Sequence, residues 1–127
     1  MEDNAALIRY KFERSIQTLN EAKELAENGY WNGVVNRLYY AAFYAVSALL
    51  TQSGFKSKTH SWQKSKFNEE FLLSSKIKRE TGNIYNTLFN YRSDGDYGDF
   101  ITYTKDEVEP LIKRTEVFIN EIKKLIY

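Results

Sequence analysis

The stretch from Gly33 to Gln52, GVVNRLYYAAFYAVSALLTQ, is the most apolar part of the chain and decides the fold. Its small and apolar residues recur at helical spacing and form one stripe, made of Val34, Leu38, Ala41, Ala42, Ala45 and Leu49. A second face carries Tyr40, Phe43, Tyr44, Ser47 and Leu50. A helix that is apolar nearly all round must be covered on several sides. The run is too short to span a bilayer, so it predicts the buried central helix of an all-α bundle and no membrane association.

The composition favours a single helical domain over residues 1–127. Of the 127 residues, 43% are hydrophobic and 16% are aromatic, which suffices for a sizeable core. With 18 Lys+Arg against 17 Asp+Glu, the net charge of +1 gives no electrostatic case for a general nucleic-acid binder, although a local basic groove is compatible with it. The chain has no Cys, which excludes disulfides and thiolate metal sites. The start MEDNAALIRY has no apolar export core, so we expect a cytoplasmic protein.

The periodicity predicts an antiparallel bundle of about five helices. A first helix, capped by Asp3 or Asn4, ends at Asn28-Gly29, and the short joint to the central helix implies that the two lie antiparallel. Ser53-Gly54 ends the central helix. A short third helix is predicted over 61–73 and a fourth over 76–91.

The last helix has the clearest apolar stripe. Thr104 and Glu107 fit a capping box at its start. Pro110 conflicts with that start because it lacks a backbone donor one turn later, so the helix either begins nearer Asp106 or kinks at the proline. The preceding segment RSDGDYGDF, residues 92–100, predicts a loop because it holds two Gly and three Asp.

Arg37, Tyr40 and Tyr44 fall on one face of the central helix and form the first candidate site. A half-buried arginine needs a carboxylate or a phosphate as its partner. One interpretation is an internal tie to an aspartate of the following loop: Asp94, Asp96 or Asp99. The other is a ligand pocket in which Arg37 and Arg92 bind phosphate, the tyrosines stack on bases, and Asp96 and Asp99 complete the site.

The acidic loop and the single histidine give no metal or catalytic motif. Three aspartates can bind a hard cation, but Lys105 stands where a calcium loop requires its bidentate Glu, so turn formation is favoured. His60 is favoured as a loop or first-turn residue that caps the third helix or packs by Trp62, with a general base as the alternative. We predict neither a metal nor a cofactor.

The chain has ten tyrosines, more than a core of this size needs. Tyrosine keeps one polar end, so it suits partly hydrated surfaces such as subunit contacts or pocket walls. Either a dimer contact or an ordinary rim of half-buried rings accounts for the five candidates, which are Tyr30, Tyr39, Tyr91, Tyr97 and Tyr103.

Three motifs together resemble the HEPN domain family. They are NRLYYAAFYA in the central helix, KTH after it, and LFNYRSDGDYGD before the last helix. The resemblance covers about residues 7–125. It implies a small helical bundle, usually a homodimer, that is often encoded beside a minimal nucleotidyltransferase and forms a toxin–antitoxin pair with it.

Active members of the family that the chain resembles are metal-independent ribonucleases. Their signature is an Arg followed, after four to six residues, by a His. Arg92 falls at the signature Arg, but Tyr97, Gly98 and Asp99 follow at those distances and none is His. A ribonuclease would therefore depend on Arg92 and Tyr97, and an unperturbed Tyr is a poor base at neutral pH.

The sequence leaves three functional hypotheses. The first is a dimeric partner of a nucleotidyltransferase that binds nucleotide or RNA at a dimer cleft, through the region of Arg37, Tyr40 and Arg92. The second is a ribonuclease with Arg92 and Tyr97 as catalytic residues. The third is a helical adaptor without enzymatic activity that binds another protein through exposed aromatic residues.

Overall fold

The computed structural model describes residues 2–56, 58–97 and 101–127, with side chains described for 4–56, 58–95 and 101–127. Five α-helices follow in order: α1 (Glu2–Glu27), α2 (Trp31–Gln52), α3 (His60–Phe67), α4 (Arg79–Tyr97) and α5 (Lys105–Ile126). A π-helical turn, Asn68–Leu72, extends α3. This part of the chain contains no strand, and the predicted all-α bundle is confirmed. Within the same ranges, none of the helices is long and apolar enough to cross a membrane.

Helix α2 is the centre of the bundle and packs against each of the other four helices. Its stripe is fully buried, and its alanines let neighbouring backbones approach closely. At one such approach the Ser15 hydroxyl of α1 donates to the carbonyl of Ala41 at 2.7 Å. Further along, Lys11 of α1 donates to Thr51 of α2 at 2.9 Å. The partner with the lower residue number on α1 has the higher residue number on α2. The two helices are therefore antiparallel, as predicted.

Of the two predicted ends of α1, the C-terminal end is correct and the N-terminal cap is not. Gly29 takes φ 75°, and the N–H of Tyr30 donates to the carbonyl of Leu25 at 3.1 Å, which closes the C-terminus of α1. At its other end α1 already begins at Glu2, so Asp3 and Asn4 lie inside the helix and do not cap it. The prediction of an Asp3 or Asn4 cap is therefore wrong.

The start of α5 resolves the conflict between the capping box and the proline. Thr104 accepts from the N–H of Glu107, while the Glu107 carboxylate accepts from the N–H of Thr104, so the predicted capping box is present. The helix begins at Lys105 and includes Pro110. A proline there removes one intrahelical donor, so the carbonyl of Asp106 loses its usual partner while the helix continues.

The loop predicted over 92–100 is wrong for its first six residues, because α4 continues to Tyr97. The segment that follows α4 folds back over it. The Tyr103 hydroxyl donates to the carbonyl of Tyr91 at 2.6 Å, and the two rings stack 5.1 Å apart. A Cβ at Gly95 would lie 3.1 Å from the Tyr103 ring, so this glycine lets Tyr103 pack close to α4 and does not form a turn. Residues 98–100 lie outside the described part of the chain.

Candidate functional site

Two arginines from different helices contact one ring of α2. The guanidinium carbon of Arg37 lies 5.3 Å from the centre of the Tyr40 ring, and that of Arg92, on α4, lies 5.5 Å from the same centre. Arg92 also donates to the Tyr40 hydroxyl at 3.3 Å. Tyr40 is half-buried, so the ring and both cations border solvent. Cations over an aromatic face are attracted by its quadrupole, which favours this arrangement of the ring and the two guanidinium groups.

Arg37 is tied within the described side chains to Glu21 of α1 and not to an aspartate of the region after Tyr91. Its Nη1 lies 3.3 Å from a carboxylate oxygen of Glu21, and its Nε and Nη2 donate to the Asn36 side chain at 3.1 and 2.8 Å. Asp94 is exposed on α4. The side chain of Asp96 and the whole of Asp99 lie outside the described part, so their predicted ligand roles stay predictions. The helix α1 packed beside α2 supplies the carboxylate that the loop was expected to give.

His60 lies in the same cluster, although it stands 32 positions before Arg92. It is the first residue of α3, whose cap is Thr59. Its ring stacks on Phe43 at 4.4 Å and approaches the Tyr40 ring at 5.9 Å. The predicted position of His60 in the first turn of α3 is therefore confirmed, whereas its predicted role as the cap is wrong because Thr59 is the cap. We call Arg37, Tyr40, His60 and Arg92 the Arg92 cluster.

The electrostatics keep His60 uncharged near neutral pH. Burial, and then the positive charge of Arg92, lower the pKa of His60 below its usual value. Its Nδ1 lies 2.8 Å from the hydroxyl of Tyr39, which is fully buried. The guanidinium of Arg92 lies 5.4 Å from the Tyr39 ring centre. The neutral imidazole of His60 and the permanently charged guanidinium of Arg92 thus both contact Tyr39 and Tyr40.

Two stacked tyrosine rings connect His60 to the interior of the bundle. The rings of Tyr39 and Tyr85 lie 6.2 Å apart, and burial raises the pKa of both phenols. The amide nitrogen of Gln63 donates to the Tyr85 hydroxyl at 3.1 Å and to the carbonyl of Phe43 at 3.0 Å. Tyr39 therefore holds His60 from inside the core and is not available for the dimer contact considered for it.

A basic and aromatic groove continues from the cluster along α1 and α2. The Tyr40 and Tyr44 rings lie 6.2 Å apart, and the guanidinium of Arg14 lies 5.2 Å from the Tyr44 ring centre. The groove has a volume of about 440 Å³. We call it the Tyr44 groove; its lining is Leu7, Tyr10, Lys11, Arg14, Phe43, Tyr44 and Ser47. Both charged residues of that lining are basic, so the groove suits a negatively charged ligand.

A small cavity of about 80 Å³ lies on the other side of Arg92. Asn32 borders it and fastens the segment before α5, because its amide donates to the carbonyl of Ile101 at 3.0 Å and accepts from the N–H of Tyr103 at 2.8 Å. Gly95 lines the same cavity. These two hydrogen bonds of the Asn32 amide hold the segment before α5 against the C-terminal end of α4.

The predicted pair of Arg92 and Tyr97 lies within one helix. A helix turns about 100° per residue, so positions 92 and 97 differ by about 140° around the axis of α4. The side chain of Tyr97 is outside the described part, and its catalytic role stays a prediction. Among the described side chains, no group of three or more His, Asp or Glu could hold a metal ion.

Sequence reasoning missed Tyr39, His60 and Arg14 as members of one region. The sequence marked His60 as the single histidine and, through the motif KTH, by the family resemblance, but nothing in its spacing linked it to Arg92. The inward orientation of Tyr39 was not predicted, since two consecutive tyrosines leave open which ring faces the core. The helical period could have separated them, because Tyr39 follows Val35 and precedes Val46 on the side of α2 that is fully buried.

Comparison with known proteins identifies relatives over almost the whole chain. A family model described as the HEPN domain matches residues 8–125. A UPF0332 protein of Thermotoga maritima is 38% identical over 99% of this chain and 96% of its own length. A protein of Methanocaldococcus jannaschii that is named as a candidate toxin is 33% identical over 94% of this chain and 85% of its own length. The crystal structure of TT1696 from Thermus thermophilus shares the fold, with a TM-score of 0.77 at 16% identity over 92% of this chain and 96% of that one.

Proposed function

The chain belongs to the HEPN domain family, and from this premise we propose that it is a toxin-type module whose Arg92 cluster binds the phosphate and a base of RNA or of a nucleotide. One observation carries the proposal. Arg37 and Arg92 come from different helices to the same half-buried Tyr40 ring. Guanidinium groups bind phosphate oxygens through paired N–H donors, and an aromatic face stacks on a base of any sequence.

The Tyr44 groove supports RNA over a single nucleotide as the ligand. It extends the ring of Tyr40 to a second ring, Tyr44, 6.2 Å away, with Arg14 beside it. Successive rings and cations along one groove are the pattern by which proteins hold single strands, since each ring takes a base and each cation a phosphate. A mononucleotide would use the Arg92 cluster alone.

The binding experiment is a fluorescence anisotropy titration of a labelled single-stranded RNA, with ATP as the competing mononucleotide. Arg92→Ala is expected to weaken RNA binding about tenfold and to flatten its salt dependence, because one phosphate contact is lost. Arg79→Ala is the matched control, since Arg79 is exposed at the opposite end of α4. Unchanged affinity in Arg92→Ala, or an equal loss in Arg79→Ala, contradicts the proposal.

The proposal includes a protein partner and a dimer. A toxin requires a neutralising protein, and the family relationship suggests a minimal nucleotidyltransferase encoded beside this gene. We expect that expression of the chain alone arrests the growth of a bacterial host, and that co-expression of the neighbouring nucleotidyltransferase restores growth. Arg92→Ala should not arrest growth. Light scattering should give about twice the protomer mass of 15.0 kDa.

A ribonuclease is the second candidate function. The observation that favours it is a histidine and an arginine around the same two tyrosines, although the histidine comes from α3 and not from the segment after Arg92. Cleavage would need a group that accepts the proton of the 2′-hydroxyl, for which Tyr97 and His60 are the candidates. The test is RNA cleavage in the presence of a chelator. Cleavage that survives Arg92→Ala, Tyr97→Phe and His60→Ala rules this site out.

A further inference from the structure

A second groove meets the Tyr44 groove between α1 and the end of α2. Both grooves are lined by Leu7 and Lys11 of α1. The second groove has a volume of about 280 Å³ and continues to Thr51 and to the loop residues Phe55 and Lys56. On α2, positions 40, 44, 47 and 51 follow one another at steps of three and four, so they lie along one line of the helix surface. The two grooves therefore form one path from the Arg92 cluster to the loop after α2.

Basic side chains follow this path. In the described part of the chain, the charged residues that line either groove are Lys11, Arg14 and Lys56. The whole chain has a net charge of only +1, so the path is a local concentration of positive charge. Lys11 lies where the grooves meet; its Nζ donates to the Thr51 hydroxyl at 2.9 Å, and burial lowers its pKa. A phosphate beside this ammonium would offset the cost of its burial, because a nearby anion favours the charged form.

Two aromatic rings lie at the far end of the path. The ring centres of Phe55 and Trp62 are 6.4 Å apart, and both side chains are half-buried. The Nζ of Lys66 lies 5.0 Å from the Phe55 ring centre, and the Nζ of Lys58 lies 5.4 Å from the Trp62 ring centre. Lys66 also pairs with the exposed Glu69 at 3.5 Å. We call this region the Phe55 patch; its members are Phe55, Lys56, Lys58, Trp62 and Lys66. Like the Arg92 cluster, it combines aromatic faces with cations.

This inference rests on the proposed function of the Arg92 cluster. We propose that the path is a single binding track for single-stranded RNA, with the Arg92 cluster at one end of the bound segment and the Phe55 patch at the other. Rings take bases of any sequence, and the cations between them take phosphates. The ring spacings at the two ends, 6.2 Å for Tyr40 and Tyr44 and 6.4 Å for Phe55 and Trp62, are alike, which suits a ligand that repeats one unit.

The geometry sets the length of the bound RNA. Tyr40 and Thr51 are 11 positions apart, which is about 16 Å along the axis of α2. With one base for each 6.2 Å, the spacing of the Tyr40 and Tyr44 rings, this distance holds about four nucleotides. The two rings of the Phe55 patch add about two more. We therefore expect a footprint of about six nucleotides without sequence specificity.

The first test is a length series of oligouridylates that compete with the labelled RNA in the anisotropy titration. The series runs from about two to about twelve nucleotides, within the range of lengths that single-strand binding proteins cover. The affinity should rise with length up to about six nucleotides and then level off. A plateau at about three nucleotides would mean that RNA contacts only the rings of Tyr40 and Tyr44, and it would overturn the proposal.

The second test uses variants at the far end of the track. Phe55→Leu keeps an apolar side chain against the core but removes the ring; it should weaken binding of an RNA of about ten nucleotides about fivefold and change binding of a trinucleotide less than about twofold. Lys56→Gln, at an exposed position, should lower the salt slope of the longer RNA by about 0.7. Lys113→Gln, at an exposed lysine of α5 that lines neither groove, is the control. Unchanged binding of the longer RNA in Phe55→Leu, or an equal loss in Lys113→Gln, contradicts the track.

The two proposals fail in distinguishable ways. If Arg92→Ala leaves binding of both RNA lengths unchanged, the proposed function of the Arg92 cluster is wrong. If Arg92→Ala weakens both and Phe55→Leu weakens neither, the cluster binds RNA and only the track is wrong. If Phe55→Leu leaves RNA binding unchanged but releases the neighbouring nucleotidyltransferase from a co-purified complex, the Phe55 patch is a protein contact, which also overturns the track.

Discussion

Tyr39 and Tyr40 are neighbours in the sequence, yet they belong to two different regions of the molecule. Tyr39 has no solvent exposure; it is hydrogen-bonded to His60 and stacks on Tyr85 inside the bundle. Tyr40 is half-buried, and the guanidinium carbons of Arg37 and Arg92 lie 5.3 and 5.5 Å from its ring centre. One step along a helix turns a side chain by about 100°, which is enough to move a tyrosine from the core to the site.

The comparison teaches that the site depends on two kinds of support. Tyr39, the inner ring, contacts His60 by a hydrogen bond of 2.8 Å and is itself fully buried, so the position of His60 depends on the stability of the core. Tyr40, the outer ring, offers a face to a ligand. Its geometry depends on Arg37 and Arg92, which also border solvent. Changes at Tyr39 should therefore affect folding first, and changes at Tyr40 should affect binding first.

The largest expected effect is on stability and tests the inner ring. Tyr39→Ala should lower the free energy of unfolding by about 3–5 kcal/mol, because it leaves a cavity and removes the partner of His60. Tyr40→Ala should lower it by only about 1 kcal/mol. Urea denaturation of both variants gives the two values. Equal losses of unfolding free energy in the two variants would show that both rings contribute equally to the stability of the core.

The next largest effect is on RNA binding and tests the outer ring. Tyr40→Ala should weaken binding of the labelled RNA about tenfold, since a stacked base is worth about 1–3 kcal/mol. Tyr40→Phe keeps the ring and should bind almost as well as the wild type. Tyr30→Ala, at a tyrosine with 64% exposure remote from the proposed contacts, is the control. An affinity lost equally in the Ala and Phe variants would mean that the hydroxyl matters and the stacking does not.

A smaller effect is expected from the carboxylate that holds Arg37. Glu21→Gln removes the ion pair at 3.3 Å and should strengthen RNA binding about two- to threefold, because Arg37 no longer has to exchange a protein carboxylate for a phosphate. Glu24→Gln, an exposed neighbour on α1, should have no such effect. Anisotropy at low salt measures both. Weaker binding in Glu21→Gln would show that Glu21 orients Arg37 and does not compete with RNA.

The smallest effect is a pH dependence of stability. The pKa of His60 is lower in the folded chain than its usual 6.5, so the unfolded chain binds this proton more tightly. The stability that depends on neutral His60 is complete above about pH 6.5 and is lost as the pH falls from there toward the folded-state pKa. Urea denaturation at about pH 7.5 and about pH 5.5 should therefore show a larger loss in the wild type than in His60→Gln. Equal losses contradict the assignment.

The fold could be predicted where local chemistry decides it. The period of three to four residues located α1, α2 and α5, and Gly29 and the Thr104–Glu107 pair marked two helix ends, because caps depend on residues within one turn. The predicted family is also confirmed. The end of α4 was predicted wrongly, because Gly and Asp favour turns in isolation while the covering Tyr103 segment stabilises the helix.

By itself, the sequence determined an all-α bundle around the Gly33–Gln52 helix, and it brought Arg37, Tyr40 and Tyr44 to one face, because both follow from the helical period. Only the tertiary structure decided that Arg37 pairs with Glu21, that Arg92 reaches Tyr40 and that His60 meets Tyr39. These contacts join residues far apart in the chain. No local pattern encodes them, since they depend on how α1, α3 and α4 pack around α2.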